Sequence, residues 1–456
     1  MNYTTRDIAY ITQSELIGDE NLHIRKIAFD SRNIYSTQNT AFIAINTKKN
    51  SGEKYISSVI DKGVKIIIAE RITQNSEGIT WIIVKDGISF LQKLAEFHFK
   101  QFTELISIGV TGSNGKTIVK EWLYQSLMND YKAVKSPKSF NSQLGLPLSL
   151  LDISKDHEIG IFEAGISKKG EMEKLEHVFS PKIGVLTHIG SAHAAHFDDE
   201  KELILEKLLL FKNSETIIYN GDHALVNELI QQHYSHKNLI SFGLNSNNNI
   251  RIQNDWNNKN EDLIIQCFND SFILPVSKRD SATLTNALAV IAVLCHLNYD
   301  YHTVVDKINV LKSVEMRLES VEGVRNNTLI NDSFNLDLDS LIIAYQFIKE
   351  YKKDRKVLVL TDFVEGKNTE NLYSEVVKLT NEQNFDQLFL IGKEIRKLEN
   401  EFNTETYSFD STEKLLVSQE INQISNSLIL LKGARKFEIE KIKFHLELQK
   451  HDTVLE

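Results

Sequence analysis

The 456 residues contain only two cysteines and four prolines, and no apolar run approaches the roughly 18 residues that a membrane-spanning helix needs. Cys267 and Cys295 stand in no metal or redox spacing, which argues against a cysteine-based metal site and leaves a structural disulfide the lesser alternative. Both lie in apolar runs, as buried thiols of a reducing compartment do. With so little proline, no rigid linker marks the boundaries between units. Basic charge is also short: 52 Lys and Arg against 62 Asp and Glu leave a net charge of -10 at pH 7. That balance argues against a nucleic-acid partner, while a local basic pocket for a small phosphate ligand stays open. The first residues, MNYTTRDIAYITQSE, lack the basic-then-apolar order of a secretory signal. The expectation is a cytoplasmic protein with no membrane partner.

What is present is the composition of a soluble globular chain, 41% hydrophobic and 25% charged. Its length suits about three domains. Short apolar runs alternate with helical patterns, which predicts an α/β fold with mainly parallel sheets. A first unit over residues 1–100 carries strand signals at 40–45, 64–69 and 81–84 and a helix at 90–99. A second, over 101–313, has strands at 106–110, 159–163, 183–187 and 216–219 and a helix at 281–297. Its asparagine-rich stretch 245–260 reads as surface loops. A third, over 314–448, has strands at 328–331, 357–360, 387–391 and 427–431. The remaining residues, 449–456, read as an extended segment entering a following domain.

The strand at 106–110 runs straight into Thr111-Gly112-Ser113-Asn114-Gly115-Lys116-Thr117, and 118–128 then reads as a helix. Strand, glycine loop and helix in that order form a cradle for a nucleoside triphosphate: glycines let backbone N–H groups converge on the phosphates, and the helix N-terminus adds partial positive charge. Lys116 is placed to reach the outer phosphates and Thr117 to ligate Mg²⁺. Val110 stands where the strict Walker spacing has glycine. Glu163 ends an apolar strand, at the carboxyl edge where parallel sheets place ligands, and offers a hard oxygen to a magnesium ion. Near it, His188, His193 and His196 lack the accompanying ligands and spacing of a zinc site.

The TGSNGKT loop and the motifs around it resemble those of the Mur ligase family, enzymes that add amino acids to the peptidoglycan precursor. The resemblance runs from Asp30-Ser31-Arg32 to Lys432-Gly433-Ala434-Arg435. It implies a three-domain architecture, with a central P-loop ATPase-type sheet and a C-terminal Rossmann-like domain. It also implies an ATP-dependent ligase that passes the γ-phosphoryl group to a carboxylate, after which an amine displaces phosphate from the acyl phosphate. Asn331-Asp332-Ser333-Phe334-Asn335 through Ser340 is similar to the branch that adds D-alanyl-D-alanine to UDP-N-acetylmuramoyl-tripeptide, with Phe334 and Leu338 replacing the usual tyrosine and proline.

Residue by residue, the resemblance implies that Gly112, Ser113, Asn114, Gly115, Lys116 and Thr117 hold the nucleotide, with Asn286 near the adenine and Arg317 and Asp332 reaching it from the third unit. Thr117, Glu163, His193 and a carbamylated Lys207 would hold two magnesium ions, Lys116, His193 and Lys207 being the catalytic set. Ser31 and Arg32 would contact the UDP portion, and Asn141, Ser142 and Asn335 would face the substrates. His188 stands where the family has asparagine and, like His196, receives no role. The ligase unit is expected to be monomeric. The ending HDTVLE resembles the opening strand of alanine racemases, which implies a fused racemase beyond it. Alternatives at this level are another Mur-type amino-acid ligase, a folylpolyglutamate-synthetase-like ligase, and a P-loop switch or binding module.

Overall fold

The computed structural model describes residues 1–47, 50–74, 77–190, 197–276, 279–363 and 369–448. Three large sheets follow one another along the chain, and Tyr3–Thr4 pairs with His23–Ile24 in a small fourth one. The first, with five strands, runs in the order Glu15–Ile17, Thr80–Ile83, Ile66–Ala69, Thr40–Ile43, Lys26–Ala28. It is parallel except where Glu15–Ile17 meets Thr80–Ile83. The central sheet places Ile106–Thr111 between Ile159–Glu163 and Ile183–Leu186, all parallel. From there it extends through Thr216–Asn220, Asn238–Gly243 and Ile250–Ile252 to an antiparallel hairpin, Leu263–Cys267 with Asp270–Leu274. The third sheet has six strands and is parallel apart from its first pair, Glu319–Gly323 against Asn327–Asp332.

One expectation fails inside the asparagine-rich stretch. Ile250–Ile252 is a strand, with Ile250 and Ile252 buried on one side and Arg251 between them. Alternation over three residues was enough to join the sheet, and the flanking asparagines hid it. The two cysteines are free thiols; Cys267 is buried, Cys295 is half-buried, and their sulfurs lie 2.9 Å apart. Residues 449–456, including the HDTVLE ending, lie outside the described residues.

The first and central units share a core. The helix Gly87–Phe99 turns Leu91 and Leu94 toward Leu146 and Leu150 of the helix Gly145–Leu150, and Phe99 meets Phe179 edge to face at 5.1 Å. Each such leucine removed from water contributes about 1.5–3 kcal/mol. His98 is buried in the same seam, between Tyr3 Oη and the carbonyl of Ile153, at 2.8 and 2.9 Å. Burial pushes its imidazole down to about 4, so it stays neutral. This apolar joint presents the carboxyl edge of the central sheet to the third unit.

Candidate functional site

The loop after Ile106–Thr111 is built by two glycines in conformations that side chains avoid. Gly112 has φ +149°, and a Cβ there would lie 2.0 Å from Thr187 Oγ1. Gly115 has φ +88°, and a Cβ would lie 2.5 Å from Asn286 Oδ1. Gly115 caps the helix Lys116–Leu127, so the free N–H groups of the first turn open at the loop. The neighbouring strand end fixes the turn. Ser113 N and Asn114 N donate to the carbonyl of His188 at 2.7 and 3.3 Å, and the Thr187 hydroxyl reaches the Asn114 carbonyl at 2.7 Å.

Two lysines converge on this loop. Lys116 Nζ donates to the carbonyls of Gly112 and Ser113, both at 2.8 Å, and Lys207 Nζ donates to the same Gly112 carbonyl at 3.1 Å. Burial lowers the Lys116 ammonium below its ordinary range, with Glu163 opposing. Burial holds Lys207, which is 1% exposed, well below that range, and the Lys116 charge adds to the effect. Lys207 is thereby biased toward the neutral amine.

Glu163 is buried at the end of its strand. It accepts from the Thr117 hydroxyl at 2.9 Å through one oxygen and from Asn141 Nδ2 at 2.6 Å through the other. Ser139 Oγ lies 3.1 Å from Thr117 Oγ1. Thr117, Glu163 and Asn141, far apart in sequence, are therefore one cluster. The sequence reading missed the brace beneath it. Lys120, fully buried, donates to the carbonyls of Ser136 and Lys138, while Ser136 Oγ accepts from Glu163 N at 2.9 Å. Its spacing from Lys116 on one helix face was the available signal.

The third unit closes the other side. Arg317 lies between Met316 (φ +60°) and Leu318 (φ +49°), and its guanidinium sits 4.1 Å from the centre of the Phe334 ring. Asp332 forms a buried ion pair with Lys432 at 2.6 Å. A cavity of about 1030 Å³ opens between the central and third units, with Asn114, Gly115, His188, Asn286, Arg317 and Asp332 in its walls. Lys116, Thr117, Glu163 and Lys207 do not line it and join it through the loop. The residues fit a magnesium nucleotide: glycine leaves the loop open, Asn114 Nδ2 is buried with no hydrogen-bond partner among the described residues, and Thr117 and Glu163 present hard oxygens side by side.

Other expected residues lie elsewhere. Ser31 and Arg32 sit on the turn capped by Asp30, beside a second cavity of about 290 Å³ lined by Asp30, Asn33, Phe29 and Phe140. Phe140 brings that cavity next to Asn141. Two side chains expected to face substrate are used within the fold. Ser142 Oγ accepts from the backbone N–H groups of Leu144 and Gly145, and Asn335 Nδ2 donates to Asp337, the cap of the helix Leu338–Ile348. Both satisfy local turns, as short polar side chains do. His188, given no role from sequence, supplies the carbonyl that holds the loop and turns its ring into the large cavity. His193 and His196 lie outside the described residues. Among the described residues, no group of three or more His, Cys, Asp or Glu is placed to hold a metal, and no helix is long and apolar enough to cross a membrane.

Residues 110–294 match the Mur ligase middle domain. Over 453 residues the chain is 27% identical to the UDP-N-acetylmuramoyl-tripeptide–D-alanyl-D-alanine ligase of Bacillus subtilis, covering 96% of this chain and 97% of that one. Its fold superposes on MurF from Acinetobacter baumannii with a TM-score of 0.82 at 21% identity, over 97% of this chain and 98% of that one. It superposes on the MurF ligase from Thermotoga maritima in complex with ADP with a TM-score of 0.76 at 23% identity, over 92% and 96%. The chain thus has the fold of the three-domain Mur ligases, and its central unit matches their middle domain. It is MurF-like: its likenesses to MurF structures, with TM-scores of 0.76 and 0.82, exceed its likeness to MurC from Thermotoga maritima, with a TM-score of 0.55 at 15% identity.

Proposed function

We propose that this chain joins D-alanyl-D-alanine to a UDP-N-acetylmuramoyl-tripeptide, using ATP and an acyl-phosphate intermediate. The reading is carried by one observation: a glycine loop bonded to half-buried Lys116 and buried Lys207 and adjoining a Thr117–Glu163 pair, in a chain that resembles such ligases almost end to end. Residues 1–100 bind the UDP portion through the Ser31-Arg32 turn, 101–313 hold the nucleotide, and 314–448 bring the dipeptide. Lys116 leaves the Gly112 and Ser113 carbonyls for the outer phosphates, and its charge offsets the negative charge that builds up as two anions meet. Arg317 and Asp332 steady the nucleotide from the third unit, Asn286 stands at the base, and Asn141 faces the acid substrate.

Magnesium, when bound, neutralises phosphate charge; Thr117, Glu163, His193 and a carbamate on Lys207 would hold two ions. The carbamate forms when the neutral Lys207 amine adds to CO₂ and releases a proton, and the buried environment favours that neutral amine. The ligase unit acts as a monomer. For the activity itself, the chain is supplied with ATP, magnesium, the UDP-tripeptide and D-alanyl-D-alanine, and products are weighed by mass spectrometry. The expected result is the UDP-pentapeptide, with ADP released only when both substrates are present. A product formed instead from D-glutamate or a diamino acid with its own precursor would move the chain to another branch. ADP release indifferent to any acid would make it a nucleotide switch.

A further inference from the structure

We propose that His188 is a further nucleotide-binding residue, whose imidazole takes up a proton when the triphosphate enters and then lies as a cation between phosphate oxygens and the Asp339 carboxylate. The inference deepens the nucleotide reading above and rests on it. His188 follows the strand Ile183–Leu186, and its own carbonyl accepts the N–H groups of Ser113 and Asn114. The backbone that carries the ring is therefore the backbone that holds the phosphate loop, which fixes the imidazole against the place where phosphates sit. His188 is exposed and lines the large cavity, whose walls also include Asn114 and Gly115. Across the cleft stands the helix Leu338–Ile348. A Cβ built on Gly190 would come within 2.3 Å of Asp339 Oδ2 and 3.2 Å of His188 Nε2, so imidazole and carboxylate flank one point at the junction of the central and third units.

The charged and titratable groups facing the ring come from each element packed around it: Asp339 and Asp337 of the third unit, and His223 and Glu200 of the central unit. Without ligand, burial holds the imidazole below its ordinary value despite these carboxylates, so it is neutral near pH 7. A triphosphate adds several negative charges to the same cleft, and opposite charge a few ångströms away favours the protonated ring. The proton comes from solvent: an N–H bond forms on the ring as an O–H bond of the donor breaks, and no other covalent bond changes. In its cationic form His188 can donate from both ring nitrogens, one toward phosphate and one toward Asp339, which draws the third unit onto the bound nucleotide.

The test is calorimetric titration of the full chain with a non-hydrolysable ATP analogue and magnesium, in two buffers of different ionisation heat, for wild type, His188→Asn and His188→Gln. Both variants keep a planar polar side chain that cannot gain a proton, and cooperative thermal unfolding checks that they fold. Wild type is expected to take up more protons per nucleotide bound than either variant. Its affinity should also fall more steeply as pH rises through the range where the bound imidazole titrates, by about tenfold for each pKa unit of the nucleotide-induced shift. Equal proton uptake and parallel pH profiles in all three proteins would overturn the assignment of His188. Failure of the nucleotide reading has a different signature: Lys116→Ala would then bind the analogue as tightly as wild type.

Discussion

The phosphate loop of the central unit and the Asp30-Ser31-Arg32 turn of the first unit are both expected to hold phosphate-bearing ligands, yet they are built in opposite ways. The loop is held on every side: Gly112 against Thr187, Ser113 and Asn114 on the His188 carbonyl, Lys116 and Lys207 on its own carbonyls, and Thr117 on buried Glu163. At the turn Ser31 is buried, but the Arg32 side chain stands in solvent and pairs with Asp30 two residues away at 2.8 Å. A group that must meet charge developing in a reaction has to be in place beforehand, because reorganisation at that moment adds to the barrier. A group that only holds the far end of a substrate can stay mobile. Buried charges at the loop are strongly coupled to fold and to pH, whereas exposed charges at the turn are nearly free of both.

Three substitutions probe the buried side of this contrast. The largest effect is expected for Lys116→Ala, where turnover measured by ADP release should fall by at least about 10²–10³-fold, since a charge aimed at the transferring phosphoryl group is lost. Retained turnover would remove the loop from the chemistry. Next, Asp332→Ala leaves the Lys432 ammonium, 1% exposed, without its carboxylate, and denaturant unfolding should record a loss of about 3–5 kcal/mol. A loss below about 1 kcal/mol would place the pair with ordinary surface pairs. The third concerns pH. A lysine whose folded pKa is depressed binds fewer protons folded than unfolded between that value and the ordinary value near about 10.4, so it makes stability rise with pH over that window. Lys207→Met should flatten that rise in unfolding measured without substrates. An unchanged slope would show that Lys207 is not held neutral.

Legibility follows the same division. The loop could be read directly because its parts are contiguous: apolar strand, glycines, Lys116, Thr117, helix. Glu163 was legible as a carboxylate at a strand end, but its contact with Thr117 was not, because only the parallel pairing of Ile106–Thr111 with Ile159–Glu163 makes them neighbours. Ser142 and Asn335 have local uses that their sequence did not announce. A short polar side chain beside a helix start serves its own backbone as readily as a substrate, and sequence does not separate the two uses. His188 was overlooked because it departs from the asparagine of the family pattern, and only the fold turns its ring into the cavity. The alternating α/β order was plain, while Ile250–Ile252 and the hairpin after it were hidden by polar neighbours.

The exposed turn gives the smallest expected effect and the sharpest division between the two regions. Arg32 shares no described bond with the core and pairs only with Asp30 and its own turn. An exposed ion pair contributes at most about 1 kcal/mol, so Arg32→Ala should leave the unfolding midpoint nearly unchanged. Asp30 still accepts from the backbone N–H of residue 32 at 2.9 Å, which keeps the turn in shape. If the guanidinium binds the UDP portion, the KM for the UDP-tripeptide should rise by about fivefold to tenfold, the equivalent of one charge-assisted hydrogen bond lost at a solvated site. The KM for ATP and the maximal rate should hold. A matching fall in the maximal rate would mean that distant binding contributes to aligning the reacting carboxylate, and the two regions would then be one machine rather than a rigid centre with a separate grip.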